Sequence, residues 1–164
     1  MSAIRIDGRA IAAKVRDEVS LRVQALSQKG IVPGLAVVLA GDDPASQVYV
    51  RNKERMAGRV GIKAQTIRLS GTLEPNELRE TILSLNEDES VDGILVQLPL
   101  PGHIEPALAT SILNEIDPEK DVDGLHPLNL GRLLAGEPGF VACTPSGCMR
   151  LLKETDVSCQ GRRA

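Results

Sequence analysis

Aromatic side chains are nearly absent from this 164-residue chain, which has no tryptophan, one tyrosine and one phenylalanine. The two aromatic residues are Tyr49 and Phe140. Proteins commonly hold a flat ring ligand by stacking it on an aromatic side chain. If this protein binds such a ring, Tyr49 is almost the only residue that can stack on it.

Cysteine is also scarce, with three residues at positions 143, 148 and 159. They show no CxxC spacing and have no pair of histidines nearby, whereas zinc sites and disulfide frameworks need closely spaced sets of ligands or partners. We therefore expect neither a zinc site nor a disulfide, and we expect reduced cysteines that serve mostly in packing.

Neither charge nor hydrophobicity is concentrated in one part of the chain. The formal net charge of -3 is spread over interspersed positive and negative residues, so no basic face is available for a nucleic-acid backbone. No apolar run reaches the 18 or more residues of a membrane span. With 42% hydrophobic and 25% charged residues, the composition is that of a globular protein, which we expect in the cytoplasm without a nucleic-acid or membrane partner.

Apolar segments of two kinds alternate along the chain. Short β-rich runs predict strands, and longer stretches with apolar residues every three or four positions predict helices. Strands that alternate with helices indicate βαβ units and a parallel sheet. We predict an α/β fold, a three-layer αβα domain with a mostly parallel sheet, built from strands at 35–40, 62–69 and 94–96 and helices at 8–30, 44–61, 74–85, 106–114, 129–134 and 146–155, the last capped by Thr144-Pro145.

The helix after the first strand carries the most suggestive pair of side chains. Asp43 is placed to cap this helix and Pro44 to occupy its first position. Tyr49 and Lys53 are four residues apart, so they project from one face as a possible acid/base pair, although such a pair is also common on a solvated surface. Ligands of parallel sheets bind beyond the carboxyl ends of the strands, where Gln97 also lies.

Other polar residues leave alternatives open. Gln97 can line a cleft or merely satisfy backbone groups of a loop, and Asp121 and Asp123 can face one side of an extended loop or form a solvated turn. No third ligand near these aspartates supports a metal site. The YxxxK spacing also occurs in short-chain dehydrogenases, but those have a GxGxxG turn that this sequence lacks.

Four motifs follow one another in order along nearly the whole chain. They are YVRNK at 49–53 with Gly61-Ile62, GILVQLPLP at 93–101, PEKDVDG at 118–124 and CTPSG at 143–147. In this order they resemble one family, the bifunctional methylenetetrahydrofolate dehydrogenase/cyclohydrolases.

The resemblance implies roles for individual residues. Lys53 is implied to be the general acid/base, Tyr49 to stack on the folate ring, Gln97 to hydrogen-bond Lys53, and Asp123 to bind the amino and ring N–H groups of the pterin. The catalytic set is then Lys53, Tyr49 and Gln97, and the substrate-binding set is Tyr49, Val50, Arg51, Asn52, Lys53, Val96, Gln97, Leu98 and Asp123.

The resemblance also implies a reaction in one-carbon folate metabolism and purine biosynthesis. Such enzymes oxidise 5,10-methylene-tetrahydrofolate to the 5,10-methenyl form with NADP and hydrolyse it to 10-formyl-tetrahydrofolate, as homodimers with a second, Rossmann-type domain for NADP. We expect a folate-binding catalytic domain at residues 1–139. Residues 140–164 are then expected to be the junction and linker helix at the start of a truncated NADP-binding domain.

On this expectation, no residue of this chain binds NADP or a metal, and hydride transfer and dimerisation are not expected of this chain alone. Hydrolysis of the methenyl form uses water and Lys53 without a nicotinamide, so it can persist. The alternative is a non-catalytic folate-binding or degenerate fragment.

Overall fold

The computed structural model describes residues 5–155, 158–161 and 163 and confirms the predicted α/β fold. Three parallel strands pair in the order β2-β1-β3. The strands are β1 (Gly34–Ala40), β2 (Lys63–Leu69) and β3 (Gly93–Gln97). The helices are α1 (Gly8–Ser27), α2 (Pro44–Val60), α3 (Pro75–Glu87), α4 (Pro106–Leu113), α5 (Pro127–Ala135) and α6 (Cys143–Lys153).

The central strand β1 divides the core into two layers of side chains. Ala36, Val38 and Ala40 pack with apolar residues of α3 and α4 on one face of the sheet. Val37 and Leu39 pack on the other face with Val50 of α2. Because both faces of β1 are covered by helices, its sequence is an unbroken apolar run, as expected for the inner strand of a parallel sheet.

Helix α2 begins at Pro44 as predicted and ends at Val60, two residues after Gly58. The Asp43 carboxylate accepts a hydrogen bond from the Ser46 backbone N–H at 2.7 Å, and this bond is the main reason that the pKa of Asp43 is lowered. Gly58 lies inside the helix, and Gly61, with a φ of 90°, forms the C-cap. The start of α2 is therefore fixed at the carboxyl end of β1.

Helix α6 begins earlier than predicted, so the capping role assigned to Thr144-Pro145 is wrong. The N-cap is Ala142, and both residues lie in the first turn of the helix. Proline is tolerated there because the first backbone N–H groups of a helix have no partner within it. The Ala142 carbonyl oxygen accepts from the Ser146 N–H at 3.1 Å.

Ion pairs join α6 to the first helix. Arg150 lies 2.7 Å from a carboxylate oxygen of Glu18, and Lys14 lies 2.9 Å from one of Glu154. These contacts connect the segment after residue 139 to the rest of the chain, and the division at residue 139 stays a prediction. The sequence of residues 157–164 resembles the approach to a further strand. The described residues among them, 158–161 and 163, contain no strand, and the others lie outside the described residues.

The prediction that the cysteines serve in packing is wrong. Cys143, Cys148 and Cys159 are free thiols on exposed residues. Helix α6, which carries two of them, has no buried residue, so its positions are not core positions.

No helix within residues 5–155 or the few described positions beyond them is long and apolar enough to cross a lipid bilayer.

Gly34 is the residue at which a small substitution has the clearest structural cost. Its N–H donates to Asp92 Oδ2 at 2.7 Å, and a Cβ at this position would overlap the Ser90 backbone carbonyl. We expect Gly34→Ala to lower the free energy of unfolding by about 1–3 kcal/mol, measured by urea denaturation, because backbone must move to admit the methyl group.

The matched control is Gly58→Ala, where a Cβ meets nothing within 4 Å in a helix interior. This change should stabilise the chain by about 0.5–1 kcal/mol because alanine favours the helix. Equal unfolding midpoints for the two variants would contradict the close packing of β1 against Ser90.

Candidate active site

Lys53 and Gln97 meet at the carboxyl edge of the sheet. Lys53 lies in the third turn of α2, and Gln97 is the last residue of β3. The Lys53 Nζ donates to Gln97 Oε1 at 2.9 Å, and Gln97 Nε2 donates to the Leu98 carbonyl oxygen at 2.7 Å. The second bond fixes the orientation of the amide, so that its oxygen faces the lysine.

Tyr49 and Val50 lie on different sides of α2. Tyr49 is 63% exposed, whereas Val50 is fully buried against Val37, Leu39 and Leu95. The aromatic ring is therefore free to meet a ligand. The side chain of Val50 packs in the core and anchors this turn of the helix to the sheet, and its predicted place among the substrate-binding residues stays a prediction.

Arg51 and Asn52, also predicted to bind substrate, are exposed on α2. The Asn52 side-chain oxygen accepts a hydrogen bond from Arg55 at 2.8 Å. These side chains have no hydrogen bond to Gln97 or Asp123. The residue of the YVRNK motif that does contact Gln97 is Lys53.

Asp123 is a half-buried carboxylate near Lys53. Burial raises the pKa of Asp123, while the nearby charge of Lys53 lowers it and the charge of Asp121 adds to the rise. The residue thus combines an acceptor group with a partly dry environment, in which hydrogen bonds to a ligand are stronger than in water.

Cys143 adjoins the same loop. Its Sγ lies 3.7 Å from the Val122 carbonyl oxygen. Although the residue is exposed overall, partial burial raises the pKa of its thiol, and the Asp123 carboxylate raises it further. The thiol is therefore protonated at neutral pH and is not an activated nucleophile.

Asp121 has a role different from that of Asp123. It is 4% exposed, and its Oδ2 accepts from the His126 backbone N–H and from the Asn129 amide, both at 2.9 Å. Its carboxylate therefore holds the loop together. Within residues 5–155 and the described positions after them, no group of three or more His, Cys, Asp or Glu side chains is placed to hold a metal ion.

Two residues of this region were not predicted from the sequence. Asn129 is 1% exposed and contacts the loop before it, and His126 caps α5 by accepting from the Leu128 N–H at 3.1 Å. Pro127 at the start of this helix is the signal that would have located the cap before it. His103 also contacts a loop, with its Nε2 2.9 Å from the Leu73 carbonyl oxygen.

A cavity of about 150 Å³ lies beside the strand end. Val96 and Leu98 line it from the sheet side, and Asp121, Asp123 and His126 line it from the loop. Lys53 and Gln97 do not line the cavity, and Leu98, which does, directly follows Gln97 in the chain. A polar pair, a carboxylate and a small apolar cavity therefore occur together at the edge where α/β proteins bind ligands.

Residues 6–123 match the family model described as the tetrahydrofolate dehydrogenase/cyclohydrolase catalytic domain. The chain belongs to this family. The matched residues include Lys53, Gln97 and Asp123, whereas His126 and Cys143 follow the matched range.

Curated proteins similar to this chain carry names from the same family. The chain is 55% identical over 160 residues to the bifunctional protein FolD of Streptococcus pyogenes serotype M5 (strain Manfredo), covering 97% of this chain and 55% of the relative. The chain thus spans about half the length of the curated relatives that it matches.

Solved structures of the same family share the fold. The bifunctional FolD enzyme of Campylobacter jejuni is 48% identical with a TM-score of 0.87, over 92% of this chain and 53% of the other. The Trypanosoma brucei FolD, solved with NADP and an inhibitor, is 37% identical with a TM-score of 0.92, over 99% of this chain and 56% of the other.

Proposed function

We propose that this chain binds a tetrahydrofolate derivative at the carboxyl edge of the sheet and hydrolyses 5,10-methenyl-tetrahydrofolate to 10-formyl-tetrahydrofolate. The observation that carries the proposal is the 2.9 Å hydrogen bond from Lys53 Nζ to Gln97 Oε1. This pair joins two of the family motifs, on α2 and β3, at a ligand-binding edge.

The main requirement of the hydrolysis is a base that accepts a proton from the attacking water. The methenyl carbon is cationic, so water adds to it once a neighbouring group accepts a proton. The cationic carbon disfavours an ammonium group beside it, so Lys53 acts there in its amine form, whose lone pair accepts that proton while one N–H stays bound to Gln97. The hydroxyl group of this adduct then loses its proton as the C=O bond forms and the carbon–nitrogen bond to N5 breaks. N5 keeps the electron pair and receives a proton, and the formyl group remains on N10.

Asp123 and Tyr49 are proposed to hold the ring. The aminopyrimidine edge of a pterin presents adjacent N–H donors, which a carboxylate can bind with two oxygens. The cavity of about 150 Å³ beside Asp123 is smaller than the roughly 300–1,000 Å³ of pockets for drug-sized ligands, and so it suits the pterin rather than the whole folate. The exposed Tyr49 ring is available to stack on the part that protrudes.

The dehydrogenase step of the family requires a nicotinamide nucleotide, and the sequence contains no GxGxxG turn that would hold the pyrophosphate of such a nucleotide. No step through NADP is therefore assigned to the residues of this chain. On this proposal, residues 1–139 form the folate-binding domain and residues 140–164 are a junction.

The direct test is to mix the purified chain with 5,10-methenyl-tetrahydrofolate and follow the loss of its absorbance. We expect a first-order loss faster than the spontaneous rate and proportional to protein concentration. Binding of the folate without any acceleration would support the alternative of a non-catalytic folate-binding protein. The absence of both binding and acceleration would refute the proposal.

Tyr49 is expected to contribute through its ring more than through its hydroxyl. Tyr49→Ala should raise KM for the methenyl substrate by about 2- to 12-fold, because a stacked ring contributes roughly 0.5–1.5 kcal/mol. Tyr49→Phe should change KM less than about threefold, because it keeps the stacking surface. Steady-state kinetics of both variants separate the two roles, and equal losses would show that the hydroxyl group is the important part.

A further inference from the structure

One buried amide holds the loop that carries Asp123. Asn129 lies in α5 and is 1% exposed. Its Nδ2 donates to the Pro118 carbonyl oxygen at 2.8 Å and to Asp121 Oδ2 at 2.9 Å. Both donor hydrogens of the amide are therefore used to join the start of the loop to its middle.

Asp121 connects this amide to the neighbourhood of Asp123. Its backbone forms a bridge with Ile94 of β3, and its carbonyl oxygen accepts from the Gly124 N–H at 3.1 Å. Asp123 lies between two residues whose positions are fixed by these bonds. Displacing Asp121 would therefore displace the Asp123 carboxylate.

The other side of the loop is closed by backbone. Gly124 has a φ of 64°, and a Cβ on it would lie 2.6 Å from the Val141 carbonyl carbon and 2.7 Å from the Ala142 nitrogen. The loop is thus packed between α5 and the segment that precedes α6, with little space in which Asp123 can take another position.

The geometry points to Asn129 as a positioning residue for folate binding, which acts through Asp121 on the Asp123 carboxylate. This inference rests on the proposed function. Loss of the Asn129 amide should weaken ring binding. It should leave proton transfer by Lys53 unchanged, because Asn129 is buried and Lys53 lies on a different element.

The test is a double-mutant cycle between Asn129→Ala and Asp123→Asn. Calorimetric titration with 5-formyl-tetrahydrofolate, a stable reduced folate, gives the Kd of the unaltered chain, each single variant and the double variant. We expect Asn129→Ala to raise Kd about 10-fold alone and less than about twofold in the Asp123→Asn background, because the two residues act in series. In the hydrolysis assay, KM should rise with Kd while kcat stays within about twofold.

The outcomes separate the inference from the proposed function. An equal rise in Kd in both backgrounds, or a fall in kcat without a change in KM, would overturn the positioning role while folate binding stands. An unaltered chain that binds no 5-formyl-tetrahydrofolate would overturn both. If circular dichroism shows that Asn129→Ala does not fold, Asn129→Ser, which keeps a donor of smaller size, takes its place in the same cycle.

Discussion

Lys53→Met is expected to abolish most of the proposed hydrolysis of 5,10-methenyl-tetrahydrofolate, with a loss of about 10²–10⁴ in kcat, the range expected when a general base is removed. Methionine keeps the length and apolar stem of the lysine but has no amine to accept a proton. It also leaves the Gln97 oxygen without the donor that lies 2.9 Å away. Folate binding should fall much less than the rate, since the proposed ring contacts are with Asp123 and Tyr49 rather than with Lys53.

Lys29→Met is the matched control for this prediction. Lys29 is exposed in the turn after α1, and the change removes the same charge from the chain without touching the sheet edge. Its rate should equal that of the unaltered chain. If Lys53→Met hydrolysed the substrate as fast as Lys29→Met, Lys53 would not be the base.

Asp123→Asn is expected to raise the Kd for a reduced folate about 10- to 100-fold, because hydrogen bonds to a charged group contribute roughly 1.5–3 kcal/mol. Asparagine has the shape of aspartate but replaces one acceptor oxygen with a donor that opposes the N–H groups of the ring. Asp17→Asn, an exposed change on α1, is the control and should leave Kd unaltered. Calorimetric titration of both variants measures the difference, and equal Kd values would remove Asp123 from the site.

The pH dependence of binding gives a second view of Asp123. Because burial raises the pKa of this carboxyl above 3.8, it takes up its proton at a higher pH than an ordinary aspartate does. Folate affinity of the unaltered chain should therefore fall as the pH drops through this raised pKa, and that of Asp123→Asn should not. The free energy of unfolding should change in the opposite direction, decreasing as the pH rises through the same window, because the folded state binds more protons there.

Local signals in the sequence are sufficient to predict most of the fold. The apolar run of β1 and the Asp43-Pro44 start of α2 are each decided by a few neighbouring residues. The proximity of Lys53 and Gln97 followed from a rule about parallel sheets, namely that strand ends share one edge. Contacts that follow from such topology can be anticipated without knowledge of side-chain packing.

The residues that were missed depend on packing across the chain. The leucines of α5 suggest an apolar inner face, yet Leu133 is 50% and Leu134 is 91% exposed, whereas the polar Asn129 is buried. Its burial is stabilised by Pro118 and Asp121, which no periodicity within α5 reveals. The burial of the Val50 side chain was likewise not anticipated, because a motif taken as a continuous string ignores that neighbouring positions on a helix face different directions.

The most direct measurement is a crystal structure of this chain with 5-formyl-tetrahydrofolate. The account predicts a pterin whose amino edge meets the Asp123 carboxylate, with Tyr49 against the ring and Lys53 and Gln97 beside the one-carbon group. A folate bound elsewhere on the chain, or bound at this edge with its ring away from Asp123 and its one-carbon group away from Lys53, would contradict it.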